Sequence, residues 1–227
     1  MAKKSPIHIL GGGTVSHVRS HFAITAAAYG GTARALHALL AAQGIPAELH
    51  LTKMASAGQS DLETNQDISR LTDAIVADPA SKVVIFNVAV TDFDAQIGTT
   101  PSGKYATRLK SRDAAQEPLT LKPADKIVPG IKARRPDIFL VAFKTTAGAD
   151  DKEQYQRGLT LLKDSRADLI LANDTRTRRN ILIAADGKIL CDTQDRAAAL
   201  QAIADNISKR FPALAQKKSP ARRHGPA

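Results

Sequence analysis

The stretch "VVIFNVAVTDF", Val83 to Phe93, decides the fold. It is apolar and rich in β-branched residues, interrupted only by Asn87, and it turns polar at Thr91 and Asp92. A strand that alternates apolar and polar residues covers one face of a sheet. One that stays apolar on both sides is buried on both faces, as in a parallel sheet sandwiched between helices. The segment therefore predicts a central strand that is structural along its length and functional where it ends in a carboxylate.

Working outward, "NQDISRLTDAIVAD" precedes it, with Ile68, Leu71, Ile75 and Val76 forming one helical stripe. Before that, "PAELHLTKM" reads as a strand. "ITAAAYGGTARALHALLAAQG" reads as a helix, with Leu36, Leu39 and Leu40 on one face and Gly44 placed to end it. "IHIL" opens the series as a strand running into "GGGT". After Phe93 the pattern breaks. Gly, Pro, Thr and charge dominate residues 94–122, which read as a mobile flap over a site, with the lid proper at 94–111. The alternation then resumes with the helix "DKIVPGIKARR", the strand "DIFLVAF", the helix "KEQYQRGLTLLKD" and the strand "ADLILAND". The hairpin "ILIAADGKIL" follows, turning at Asp186-Gly187. The expected architecture is α/β: a single Rossmann-like three-layer domain with a mostly parallel sheet, helices on both faces, a C-terminal hairpin and a mobile lid loop. The domain should span 1–211, followed by a disordered basic tail at 212–227.

Composition is consistent with this. The 227 residues are 43% hydrophobic and 24% charged, which suits one globular domain and excludes the disordered class. The single cysteine, Cys191, rules out an internal disulfide framework and reads as an inert structural thiol. No apolar run has transmembrane length and "MAKKSPIHIL" is no signal peptide, so the expected location is the cytoplasm, without membrane association. Of the net charge of +10, six positives lie beyond residue 207 with no acid among them, leaving a body of +4. The tail "QKKSPARRHGPA" has no aromatic interleaving, so nucleic acid is at most a weak partner of it.

In such sheets ligands sit beyond the carboxyl ends of the strands, and four strand ends here are polar. They are Gly11–Thr14, Asp92, Lys144–Thr146 and Asn173–Asp174. Glycines such as Gly12 and Gly13 let backbone N–H groups approach a phosphate, although "GGGT" is not a GxGxxG fingerprint and close packing alone also favours glycine. Lys144 adds positive charge. Asn87 has two readings, a core amide satisfied by neighbouring backbone or a ligand contact. His17 and His21 would share one face if their segment were helical, but no third ligand follows at useful spacing, so they read as solvated or substrate-facing rather than as a metal pair.

The ordered series "GGT", "FAITAAAYGGTARAL", "NVAVTDF", "RLKS", "LTLKPADKIV", "VAFK", "ADLILAND" and "NILIAADG" resembles the phosphopantothenate–cysteine ligases, or phosphopantothenoylcysteine synthetases, over about residues 7–211. The resemblance implies an NTP-dependent acid–amino-acid ligase of coenzyme A biosynthesis, which joins cysteine to 4′-phosphopantothenate through an acyl-nucleotidyl intermediate. It implies CTP or ATP with Mg²⁺, no flavin, and a homodimer. It places Asn87, Asp92, Phe143 and Lys144 at the nucleotide, with Gly12 and Gly13, and Lys163 reaching the phosphates from its helix. Arg108 and Lys110 fall in the catalytic lid motif, and Ala26, Ala89 and Asn173 at the substrate. No protein metal ligand is implied. The decarboxylase half often fused to this ligase is not expected within these residues.

The chain departs from the pattern at three points. Ala26 stands where the family has an Asn that helps hold the acyl intermediate, Gly31 where it has a basic helix start, and Arg108 where it has a lysine. These departures keep a second reading open, in which a divergent relative activates another carboxylate or binds nucleotide without this ligation. A nucleic-acid-binding module using the basic tail is a third.

Overall fold

A computed structural model describes residues 5–110, 112 and 116–215. The basic tail beyond Ala215 lies outside the described residues. A seven-stranded sheet runs in the order β11-β10-β9-β8-β5-β1-β4. Its strands are β1 (Ile7–Gly13), β4 (Glu48–Leu51), β5 (Val83–Ala89), β8 (Phe139–Thr146), β9 (Leu169–Asp174), β10 (Asn180–Ala184) and β11 (Ile189–Thr193). The pairs from β4 across to β9 are parallel; β10 and β11 turn back antiparallel as the expected hairpin. β4 and β5 flank β1 on opposite sides, so the winding reverses at β1.

Helices α1 (Gly31–Ala42) and α5 (Arg196–Arg210) cover one face. The other carries α2 (Asn65–Ala77), α3 (Val128–Arg134) and α4 (Asp151–Ser165). Burial on both faces explains the apolar run from Val83 to Val90. Val83 and Ile85 join the core under α1 and α5, while Val84 and Phe86 join the one under α2, α3 and α4. The helix ends follow local chemistry. Thr64 and Asp67 form a reciprocal capping box at α2. Gly44, at φ 74°, ends α1, where its N–H donates to the Ala41 carbonyl and the next N–H, of Ile45, reaches back to Leu40.

Two short hairpins were not legible in advance. β2 (Val15–Arg19) pairs with β3 (Phe22–Thr25), so His17 and His21 sit on a strand and its turn rather than on one helical face. β6 (Phe93–Ile97) pairs with β7 (Leu119–Pro123), so the segment read as a flap begins and ends in paired strands, and the connecting loop is 98–118. The hairpins pack together around Val18, Ala95 and Ile97, joined by Ile24 and Leu109. The buried Arg19 guanidinium ties them by donating to the carbonyls of Val18 and Ile97, both at 2.7 Å. At the other end the packed body continues past Phe211. Pro212–Leu214 form a 3₁₀ turn, and Phe211 and Leu214 lie against the core, Phe211 edge-on to Phe139 at 5.7 Å.

Helix α1 reaches β1 only because Gly11 has no side chain: a Cβ there would stand 2.3 Å from the Ala33 Cβ. Gly11→Val should therefore destabilise the fold by about 1–3 kcal/mol through overpacking, read as a lowered urea midpoint with an unchanged slope.

Candidate functional site

β5 and β8 pair only as far as Phe86 and Ala142, yet β5 continues along β1 to Ala89 and β8 continues along β9 to Thr146. Past that last rung each strand follows its outer neighbour and the sheet splits. The opening is a crevice of about 410 Å³, lined by Val88, Val90 and Asp92 from the end of β5 and Phe143 and Lys144 from β8. Ile127–Pro129 at the start of α3 and Arg157, Thr160, Leu161 and Asp164 on α4 complete it. Its volume lies in the range of small-molecule sites, and its walls are mainly apolar with a few convergent charges.

The β5 side of the split is held by a buried knot. The Thr14 hydroxyl donates to Asn65 Oδ1 at 2.6 Å and accepts from the Thr91 N–H at 2.9 Å, while Asn65 Nδ2 donates to the Thr91 carbonyl at 2.8 Å. The end of β1, the first turn of α2 and the end of β5 thus close on one fully buried threonine. The β8 side is held by Asp174. Its carboxylate accepts from the Thr146 hydroxyl at 2.8 Å and from the backbone N–H groups of Ala149, Arg176 and Thr177 at 2.8–3.0 Å. The Thr177 N–H, with further donors at Gly148, Thr146 and Ala149, outweighs burial and holds this carboxyl well below the usual range. Asp174, one of the polar strand ends, therefore faces the protein rather than the crevice.

The expected nucleotide residues Asp92, Phe143 and Lys144 meet in the crevice. Asp92 is exposed and pairs with Lys126, Nζ to Oδ1, at 2.6 Å. Sequence reading passed over Lys126, although it stands within "LTLKPADKIV". Lys144 is half-buried and, among the described residues, has neither an ion-pair nor a hydrogen-bond partner. Asn87, also half-buried, has no side-chain hydrogen bond among the described residues, so the core-amide reading lacks its partner. Asn173 and Thr145 pair across β9 and β8, hydroxyl to Oδ1, at 3.4 Å. Ala89 stands beside Gly13 in register, and the Ala26 N–H donates to Thr14 O at 3.1 Å.

The glycines are committed to packing. A Cβ at Gly13 would stand 2.0 Å from the Ala26 carbonyl oxygen and 2.7 Å from Ala28 N. At Gly12, whose φ is 113°, it would meet the Thr52 hydroxyl at 2.1 Å. Close packing by itself therefore requires glycine at both positions. Lys163 lies elsewhere. α4 runs back from the strand ends, and Lys163 in its last turn lines a separate hollow with Arg166, Asp186 and Gly187.

A larger hollow of about 890 Å³ adjoins the crevice at Ile127 and runs between the two hairpins and the start of α2. Glu63 is its charged centre, paired with Lys104 from the 98–118 loop, with Lys53 at 3.4 Å, and facing His17 at 3.6 Å. Burial pushes the Glu63 carboxyl up, but the hydrogen bonds and charge of Lys104 and Lys53 outweigh it and hold the group below its ordinary value. The buried hydroxyl oxygens of Thr91 and Thr52 have no hydrogen-bond partner among the described residues. Arg108 and Lys110 project from the same loop, exposed and without an ion pair among the described residues. Cys191 lies on β11, away from both hollows, and burial, then Asp192, pushes its thiol up.

Fold and crevice together define a Rossmann-like α/β domain with a ligand-sized opening at the strand ends. The chain belongs to the DNA/pantothenate metabolism flavoprotein C-terminal domain family, whose profile matches residues 20–211; this is the family of the phosphopantothenoylcysteine synthetase domain of CoaBC, in agreement with the resemblance read from the sequence. It is 26% identical over 115 residues to the Coenzyme A biosynthesis bifunctional protein CoaBC of Thermococcus kodakarensis, a match that spans 51% of this chain and 27% of that protein. Among solved structures, the DNA/pantothenate metabolism flavoprotein from Streptococcus pneumoniae superimposes with a TM-score of 0.74 at 21% identity, covering 92% of this chain and 99% of the other. A mutant Cab2 in complex with phosphopantothenate-cysteine gives 0.61 at 13% identity, covering 92% and 87%. At these identities the structural likeness is one of fold.

The Asp174 carboxylate gives a pH signature. Because its folded value lies below the unfolded value of about 3.9, its contribution is fully present above about pH 4 and is lost as pH falls further. In Asp174→Asn the urea midpoint should drop at pH 7, and its gap to the parent protein should narrow only below about pH 4.

Proposed function

We propose that the domain ligates cysteine to 4′-phosphopantothenate, activating the acid with a nucleoside triphosphate bound in the β5/β8 crevice. The observation that carries this reading is the Lys144 ammonium, without an ion pair among the described residues, standing with Phe143 and Asp92 in one small, mainly apolar opening. Phe143 offers a ring edge or face to a base, Lys144 a positive charge to a phosphate, and Asp92 an acceptor for a ribose hydroxyl once it shares Lys126.

The substrate carboxylate attacks the α-phosphorus, and pyrophosphate leaves with the bonding electrons. The cysteine amine then adds to the acyl carbon and loses a proton, and the nucleoside monophosphate departs. Both steps build negative charge, so cations fixed beforehand supply the stabilisation. Among the described residues Arg108 and Lys110 have no ion pair to give up, which suits them to reach the phosphates when the 98–118 loop closes. The only group of three His, Cys, Asp or Glu side chains close enough to hold a metal among the described residues lies away from this crevice. Mg²⁺ would therefore enter as the triphosphate's counter-ion, held chiefly by phosphate and water. Small-molecule partners, a homodimeric assembly and a cytoplasmic location belong to the same reading; no helix among the described residues is long and apolar enough to cross a membrane.

Pyrophosphate release should require phosphopantothenate and cysteine together with CTP or ATP. Lys144→Ala should weaken nucleotide binding by about tenfold or more, in line with loss of a charge-assisted contact, without lowering the melting temperature. Nucleotide titration and thermal melts check both, and unchanged affinity would remove the crevice from the reading.

Ala26 favours the divergent alternative, since the family's amide is missing beside Gly13. If the substrate is the family's, Ala26→Asn should speed turnover, because a donor returns beside the acyl group. A pocket reshaped for another acid should respond with no change or a loss, because a new buried amide would lack partners. Gly31→Lys is sterically free, as nothing lies within 4 Å of a Cβ there.

A further inference from the structure

At the opposite end of the sheet, three potential ligands converge that no part of the ligase chemistry uses. The parallel register sets His8 on β1 beside Glu48 on β4, and His50, two residues further along β4, falls on the same face. His8 Nδ1 lies 3.1 Å from His50 Nε2. The Glu48 oxygens approach the same two nitrogens, Oε2 at 3.6 Å from His8 and Oε1 at 3.8 Å from His50. One proton shared between the imidazoles accounts for the first distance but leaves Glu48 beyond hydrogen-bond length of both. A cation at the centre satisfies all three.

We propose that His8, Glu48 and His50 form a binding site for a divalent transition-metal ion of the zinc class. Metal–ligand bonds of about 2.0–2.2 Å at tetrahedral angles put ligand atoms roughly 3.3–3.5 Å apart, and the observed triangle needs only small side-chain rotations to reach that. The donor set, two imidazoles and a carboxylate, suits zinc, cobalt, nickel or copper rather than magnesium or calcium. A second contact orients the buried ligand. His8 Nε2 lies 3.1 Å from the Ser81 hydroxyl, and donating its proton there leaves a lone pair on Nδ1 facing the other two groups. The Glu48 side chain is 53% exposed, giving an entry path and room for water as fourth ligand.

The site joins the edge strand β4 to β1. Gly13, near the crevice, is five steps further along β1, about 16 Å at 3.3 Å per residue, so the role of the site would be to clamp the edge rather than to act on substrate.

The test uses the full chain stripped with chelator, titrated with Co²⁺ and followed by visible absorption, with Zn²⁺ in competition and thermal melts with and without Zn²⁺. One equivalent of Co²⁺ should bind with tetrahedral d–d bands, Zn²⁺ should displace it and raise the melting temperature, and His50→Gln or Glu48→Gln should weaken binding at least tenfold. Both substitutions are on the edge strand, so they remain informative if the buried His8→Asn fails to fold. Absence of saturable Co²⁺ and Zn²⁺ binding, or unchanged affinity in His50→Gln, would overturn the proposal.

Discussion

The candidate site depends on where one ladder stops. β5 and β8 share backbone hydrogen bonds only to Phe86 and Ala142, and beyond that rung each strand satisfies its backbone with its outer neighbour instead. Buried backbone groups must be paired, so a sheet can split only where another strand takes over the pairing. Here β1 and β9 do so. The hydrogen bonds of Thr14, Asn65 and Thr91 on one side and of Asp174 on the other lock the two halves apart, and the crevice between them is a consequence of their satisfaction.

This explains which parts of the molecule could be read from the sequence. Strands buried on both faces show themselves as unbroken apolar runs, and "VVIFNVAV" and "DIFLVAF" are such runs. The strands at 93–97 and 119–123 hide because they are five residues long, partly or wholly exposed, and paired across a 21-residue loop. No local periodicity records such a pairing. The β2–β3 hairpin hides similarly: its small core is shared with β6, so neither segment carries a complete pattern of its own.

At the candidate site, the rule that ligands gather at strand ends singled out Asp92 and Lys144, and the family resemblance added Phe143; the three line one crevice because topology brings the ends of β5 and β8 together. It was not enough for direction or space. Lys163 follows the same strands in sequence, but α4 runs back along the sheet and carries it to the far end. Gly12 and Gly13 end β1, and the packing of Ala26, Ala28 and Thr52 against them requires glycine there whether or not a phosphate approaches. Asn65 and Thr14, 51 positions apart, form a buried hydrogen bond that no spacing rule anticipates.

The packing of those glycines bears on the Ala26 departure. Because Gly13 has no Cβ, the Ala26 carbonyl lies directly against β1, and the Ala26 N–H is used by Thr14 O. The backbone at residue 26 is thus fixed from both sides by the same threonine and glycine that organise the end of β5. A side chain placed on that backbone would inherit a defined position without any rearrangement of the turn. Under the proposed ligase reading, a difference in acyl-group handling would therefore come from side-chain chemistry at this one anchored position.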